Sequence, residues 1–254
     1  MKLSVIIPTF NSSRTIHLVV RSALKIADEV IVVDSFSSDN TAEIAEKEGA
    51  KVIQVKGSRL IARIDGSKIA KGDYIVNLDS DMYFSENFEG FEEKVIALGE
   101  ITVGKGLVHK IMSIDREITH KKWRENLDVI KGGIIPRMYE RELLLKAYEN
   151  IPRSLAERLN AFEDSVIYYE VMKIYKGKVQ FIPNAVYHIE DDSLLQFMRK
   201  WYKYGKNAKL LKGTKYEIIV KERKTRPGLT ISEKIKLLIP TLVKGVPFAL
   251  GYYF

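Results

Sequence analysis

Apolar residues along this chain come in two patterns. Short continuous runs occupy residues 3–7, 29–33, 51–55 and 74–78. Between them, apolar residues recur every three or four positions. A strand buried on both faces needs near-continuous apolarity, and a helix packed on one face needs the three-to-four spacing. Pro8 closes the first run, and Asn11-Ser12-Ser13 then supply cap residues for a helix carrying Ile16, Val19, Val20 and Leu24. Asp34 ends the second run. Asn40-Thr41-Ala42-Glu43 reads as a capping box, continued by Ile44 and Ala45 and stopped at Gly49. Residues 60–70 predict a third helix, with Gly72-Asp73 as its exit turn. Strand–helix alternation repeated three times predicts an α/β fold with a mostly parallel sheet and right-handed crossovers.

Beyond Asp81 the pattern is less regular. It predicts a helix over 88–98 and a strand over 101–110, and leaves 114–131 unassigned. Residues 132–137 read as a strand closely approached at Gly132 and Gly133. Residues 161–176 predict a helix, with Val166, Tyr169, Val171 and Ile174 on one face and Glu163 and Asp164 in its first turn. Two short strands follow, at 179–182 and 185–188. Then Leu194, Phe197, Trp201, Tyr204, Ala208 and Leu211 form one helical stripe among basic residues. A last apolar piece, 231–254, is interrupted by Pro240, Lys244, Gly245 and Pro247.

Composition narrows the picture. The 254 residues, 46% apolar, suit one large domain or one domain with an appendage. The absence of cysteine excludes disulfides and thiolate metal sites. No signal-peptide leader opens the chain, and no run of about 18 apolar residues predicts a membrane span. The net charge of +8 is unevenly spread: residues 194–226 carry eleven Lys/Arg against Glu217 and Glu222, while the first 193 residues are slightly negative. The reading is a body of residues 1–193 and a basic, apolar-striped appendage of 194–254 that meets an anionic partner, membrane or nucleic acid.

Chemistry concentrates where the run of residues 74–78 stops at Asp79-Ser80-Asp81. Residues two apart on a strand share a face, so both carboxylates can meet one ligand at its carboxyl end, where open α/β sheets bind ligands. Hard cations such as Mg²⁺ and Mn²⁺ favour such oxygen donors, often with substrate phosphates. Thr9, Asn11 and Asp34 follow the first two strands and line the same crevice. Arg63 carries a donor fork suited to phosphate. Asp34 also suits a turn cap, Arg63 a surface salt bridge, and Glu163 with Asp164 a complement to the helix dipole.

Four segments occur in order: Val5-Ile6-Ile7-Pro8-Thr9-Phe10-Asn11, Val33-Asp34-Ser35-Phe36-Ser37-Ser38-Asp39-Asn40-Thr41, Ala62-Arg63 before Gly66, and Ala70-Lys71-Gly72-Asp73-Tyr74-Ile75 running into Leu78-Asp79-Ser80-Asp81. Together they resemble the family 2 glycosyltransferases of the GT-A fold. The match is tight over the first half and looser through Glu163-Asp164 and Val186-Tyr187-His188. The resemblance implies a Rossmann-like sheet flanked by helices and an inverting, metal-dependent transfer of a hexose from a UDP- or GDP-sugar. It implies that Pro8, Thr9, Asn11, Asp34, Arg63, Asp79, Ser80 and Asp81 bind the donor. It further implies that Asp79, Asp81 and His188 hold Mn²⁺ or Mg²⁺, and that Asp164 is the catalytic base. Ile64, where relatives often carry Asn, departs from the pattern.

The appendage resembles the interfacial helices of cellulose-synthase-like members. It implies a peripheral protein at the cytoplasmic face of an anionic membrane, acting on a lipid-linked acceptor without nucleic acid. Packing of both helices on the catalytic body is the competing expectation. Nucleic-acid binding through the basic helix and a catalytically silent sugar-nucleotide binder are competing functions. So is a sugar-nucleotide pyrophosphorylase, although Pro8-Thr9-Phe10-Asn11 replaces the Gly-rich loop of those enzymes.

Overall fold

The computed structural model describes every residue except 89, 125–126, 129, 131–133, 192 and 222–227. In chain order the elements are β1 (Leu3–Thr9), α1 (Ile16–Leu24), β2 (Glu29–Asp34), α2 (Thr41–Lys47), β3 (Lys51–Gln54), α3 (Arg59–Ile69), β4 (Tyr74–Asn77) and β5 (Met82–Phe84). They continue with β6 (Val95–Val103), α4 (Gly106–Trp123), β7 (Met138–Glu140), α5 (Arg141–Glu149), α6 (Arg153–Ala156), α7 (Glu163–Ile174) and β8 (Val179–Ile189). Helices α8 (Leu194–Ala208), α9 (Glu217–Lys221), α10 (Ile231–Lys236) and α11 (Leu238–Tyr253) complete the chain, with a 3₁₀ turn at Lys209–Leu211.

Among the described residues the strands form one mixed sheet in the order β3-β2-β1-β4-β7-β6-β8-β5. Strands β1 to β4 are mutually parallel. Strand β7 runs antiparallel to both β4 and β6, and β8 is parallel to β6. The carboxyl ends of β1–β4, β6 and β8 therefore share one edge. Every residue of β1 is buried. Ile6, Ile31 and Ile75 pack with Leu144 and Val166 on one face of the sheet. Val5, Val32 and Val76 pack with Val19, Val20 and Ala45 on the other. This alternation is the two-residue period of strands with both faces covered. Pro8 is tolerated because the β1–β4 ladder ends at Ile6. Gly66 lets α3 lie directly on the sheet, since a Cβ there would come within 2.6 Å of Ile6 and 2.9 Å of Val33.

The middle of the chain departs from the sequence expectation. In place of a helix over 88–98, an aromatic cluster of Phe84, Phe88, Phe91 and Tyr74 leads into β6. The run Val95–Leu98 is buried on both faces, and a long solvent-covered helix has no place for that. Strand β6 ends at Val103, and the expected strand over 101–110 gives way to α4 at Gly106. Most of the unassigned stretch is α4. The strand expected at 132–137 begins on residues outside those described; 134–137 are irregular and β7 starts at Met138. The two short strands are one, β8, with its register against β6 shifted between Leu98 and Glu100. The Asn40 capping box does not form. Instead Asp39 accepts from the Thr41 amide at 3.1 Å and from the Thr41 hydroxyl.

The predicted α8 stripe faces protein. Phe197 is buried against Val108 and Met112 of α4, and Leu194, Trp201 and Val243 join that cluster. Ala208 and Leu211 have no exposed surface. Helix α11 crosses α8 so closely that a Cβ on Gly205 would strike the Phe248 carbonyl, and one on Gly251 the Tyr202 carbonyl. Lys244 of α11 is buried and pairs with Asp115 of α4 at 2.6 Å. The exposed apolar stripe lies on α10 and α11 instead: Ile231, Ile235, Leu238, Ile239, Leu242, Val246 and Leu250 all face solvent. Among the described residues no helix is long and apolar enough to cross a membrane.

Candidate active site

The loops after β1 and β2 tie each other down at the carboxyl edge. Asp34 has no exposed surface. Its carboxylate accepts from the Thr9 hydroxyl at 3.2 Å, the Ser37 amide at 2.9 Å and the Ser37 hydroxyl at 2.5 Å. Asn11, with φ of 50°, accepts from the Ser38 amide at 2.9 Å and donates its own amide to Ser37 at 2.9 Å. Thr9, Asn11 and Asp34 are thus brought together, with Asp34 turned into the loop it caps. The large apolar side chains these loops leave exposed are Phe10 and Phe36. Phe36 sits at φ of 57°, a left-handed conformation that a bulky side chain adopts only under constraint.

Asp79-Ser80-Asp81 forms the turn between β4 and β5. Ser80 anchors it: its hydroxyl lies 2.8 Å from Ser12 Oγ, and its carbonyl accepts from the Thr15 hydroxyl at 2.6 Å. The amide of Ile189 donates to the Asp81 carbonyl at 2.9 Å, which fixes the end of β8 beside the turn. Asp79 belongs to a closed ring of charge. Arg63 Nη2 lies 2.6 Å from Asp79 Oδ1 and 3.2 Å from Asp164 Oδ1. Arg137 Nη1 lies 3.0 Å from Asp79 Oδ2 and 3.1 Å from Asp164 Oδ2. Glu163 attaches through Arg59 at 3.1 Å and Arg63 at 3.7 Å. Arg63 has no exposed surface, so its charge reaches a ligand through the carboxylates it holds, not by contact.

A second network holds His188. Its Nδ1 lies 2.8 Å from Glu100 and 2.7 Å from Arg116, while Nε2 faces Asp81 Oδ2 at 3.6 Å. Arg116 also pairs with Glu190 at 2.5 Å, and Lys200 of α8 stands 3.9 Å from Asp81. Glu100 links the two networks, with Arg137 Nε at 3.6 Å.

Burial and partners set the charge states. Burial pushes Asp79 up, but Arg137, Arg63 and Arg59 outweigh it and hold the group down at about 2. Burial likewise opposes ionisation of Asp81, yet His188 and Lys200 keep it well below the usual carboxylate range. For Asp164 burial wins: the group is pushed up to about 6 against the pull of Arg63 and Arg137, with Glu163 and Asp79 adding to the rise. Burial and Arg116 lower His188, but Asp81 and Glu100 prevail and hold it at about 9.

Asp81 and His188 therefore converge, while Asp79 is engaged by two arginines. Among the described residues no group of three His, Cys, Asp or Glu has metal-ligand geometry. The Asp81 oxygen and, once a metal displaces its proton, the His188 Nε2 3.6 Å away, with Glu100 on the other ring nitrogen, suit a cation such as Mn²⁺. Water and a bound diphosphate could supply the remaining ligands. Glu100, Arg116 and Arg137 belong to the site but escape sequence reasoning. They are single charged residues on β6, on α4 and just before β7, and no spacing marks them.

The fold defines an α/β protein of GT-A type, and the two charged networks lie at the carboxyl edge of its sheet. Residues 4–153 match the family model for glycosyl transferase family 2, and the chain belongs to that family. A glycosyltransferase of Rickettsia conorii, itself uncharacterised, is 28% identical over 201 residues, 78% of this chain and 66% of the relative. One from Rickettsia bellii is 29% identical over 218 residues, 82% of this chain and 67% of the relative. The chain thus spans about two thirds of the length of these curated relatives. Among solved structures, residues 1–349 of Staphylococcus aureus TarS in complex with UDP-GlcNAc align with a TM-score of 0.56 at 19% identity, covering 98% of this chain and 84% of that one. Glucosyl-3-phosphoglycerate synthase from Mycobacterium tuberculosis, in complex with Mn²⁺, UDP and phosphoglyceric acid, aligns with a TM-score of 0.53 at 18% identity, covering 86% and 78%. At these identities the likeness is one of fold.

Proposed function

We propose that this protein is an inverting glycosyltransferase that moves a hexose from a UDP- or GDP-sugar to a lipid-linked acceptor at an anionic membrane surface. The observation that carries the reading is the Arg63–Asp79–Arg137–Asp164 ring. It sets a carboxylate of raised pKa beside the turn that presents Asp81 and His188. The solved relatives in complex with UDP-GlcNAc and with Mn²⁺ and UDP support a nucleotide donor and a divalent cation.

In this mechanism Phe10 and Phe36 offer aromatic faces to the base, and the loops tied by Asp34 and Asn11 position the ribose. Asp81 and His188 would hold Mn²⁺ or Mg²⁺, which supplies Lewis-acid stabilisation to the departing diphosphate. The acceptor oxygen attacks the anomeric carbon from the face opposite the diphosphate as Asp164 takes its proton. The bond from that carbon to the diphosphate oxygen breaks, and the configuration inverts. Arg63 and Arg137 hold the Asp164 carboxylate in place without reaching the substrate.

The membrane reading rests on α10 and α11. Their apolar stripe is exposed, and on α8, which α11 packs against, Arg199, Lys203 and Lys206 are exposed. No acidic residue occurs in 194–208 or 234–254. Interfacial helices with this makeup suit the headgroup layer of the cytoplasmic leaflet.

A screen of UDP- and GDP-sugars with Mn²⁺, with lipid phosphates and lipid-linked oligosaccharides as acceptors, tests the reading by nucleotide release. Wild type should release nucleotide only with acceptor present. Asp164→Asn should keep donor affinity and lose about 10²–10⁴-fold in turnover. Turnover near wild type in that variant would remove Asp164 from the base role.

A further inference from the structure

A second concavity, of about 460 Å³, lies between α4 and the β6–β8 ladder. It opens where the two strands change register and where Asn184 takes a left-handed φ of 53°. Its volume is within the range of small-molecule sites. Phe181 forms a flat apolar patch, with the His120 ring against it at 5.6 Å between centroids. The lining also includes Ser113, Glu117, Lys121, Arg124 and Asn184.

The mixture selects the ligand class. Sugar hydroxyls both donate and accept, so a sugar site needs both kinds of partner. The C–H face of a pyranose also packs well on an aromatic ring. A phosphate site would be lined by donors alone, and a polyprenyl tail would want an apolar lining throughout.

Position ties the cavity to the crevice. Glu100 is on its wall and lies 3.6 Å from Arg137, whose Nη1 is 3.1 Å from Asp164. Glu100 and Arg137 thus join one wall of the concavity to the proposed base. We infer that this cavity is an acceptor subsite for a saccharide unit, so that the acceptor is a glycan of at least two sugars, not a bare polyprenyl phosphate. The inference rests on the glycosyltransferase reading above.

Calorimetry on the full chain tests it in two stages. UDP and GDP are titrated first with Mn²⁺. Cellobiose, maltose, chitobiose and mannobiose are then titrated into the nucleotide complex, with inorganic phosphate and detergent-solubilised decaprenyl phosphate as separate arms. At least one disaccharide should bind saturably. Its affinity should fall at least tenfold in Phe181→Ala and in Glu117→Ala, with nucleotide affinity unchanged as proof of folding. The inference is overturned if no disaccharide binds, if both variants bind it as wild type does, or if only inorganic phosphate or decaprenyl phosphate binds. Failure of both nucleotides in the first stage would instead overturn the donor reading, and this inference with it.

Discussion

Asp164 sits between burial, which disfavours its charge, and two arginines that favour it. With its pKa pushed up to about 6, it is ionised and able to accept a proton above that pH and protonated below it. The expected kcat/KM is therefore flat above pH 7 and falls about tenfold per unit below pH 6. Arg137 pulls this pKa down, so Arg137→Gln should move the acidic limb to higher pH; Arg137→Lys should restore part of the shift. A pH–rate profile with an unmoved midpoint in Arg137→Gln would leave the arginine a purely structural role. Asp79, Asp81 and Asp164 are legible in the sequence because each stands at the abrupt end or start of a periodic element. Arg137 is not, because it follows an irregular segment and owes its place to the antiparallel insertion of β7. Arg63 is legible as a site residue, but its burial beneath three carboxylates depends on the depth to which Gly66 lets α3 settle.

At the scale of elements, β1 to β4 and α1 to α3 follow from local pattern alone, since β1, β2 and β4 are nearly continuous apolar runs, the edge strand β3 carries a short Val52-Ile53 core, and each helix keeps its period. The pattern fails between residues 88 and 110, where an aromatic cluster mimics a helix face and β6 hands over to α4 across Gly104-Lys105-Gly106. It also misreads the partner of the α8 stripe. Helical spacing says that a face is apolar but not what covers it, and here α4 and α11 do. Lys244 helps hold α11 in place. Lys244→Met leaves the Asp115 carboxylate buried without its ammonium and should cost about 3 kcal/mol, lowering Tm by roughly 6–12 °C. The double variant Lys244→Met/Asp115→Leu should recover most of that loss. A thermal melt of Lys244→Met that matches wild type would mean the pair does not anchor the helix.

Over the whole molecule, positive charge and exposed apolar surface coincide on the C-terminal helices, while the first 193 residues are slightly negative. Docking on lipid would place α10 and α11 in the headgroup layer and leave the buried Trp201 face of α8 in the protein. Leu238→Glu with Leu242→Glu should therefore cut co-sedimentation with phosphatidylglycerol vesicles by more than tenfold and leave nucleotide binding unchanged; equal sedimentation would contradict the docking face. On the proposed function, the β4–β5 turn, with His188, forms a metal-dependent nucleotide-sugar site. Among the described residues only Asp81 and His188 converge there, so the proposed metal site would draw further ligands from the diphosphate and water. The most direct measurement is a calorimetric titration of UDP and of GDP in Mn²⁺ and again in chelator, for wild type and for Asp81→Asn. The expected result is binding of one nucleotide that is strong with Mn²⁺, at least tenfold weaker in chelator, and insensitive to Mn²⁺ in the variant. Equal affinity for wild type in Mn²⁺ and in chelator would contradict the account.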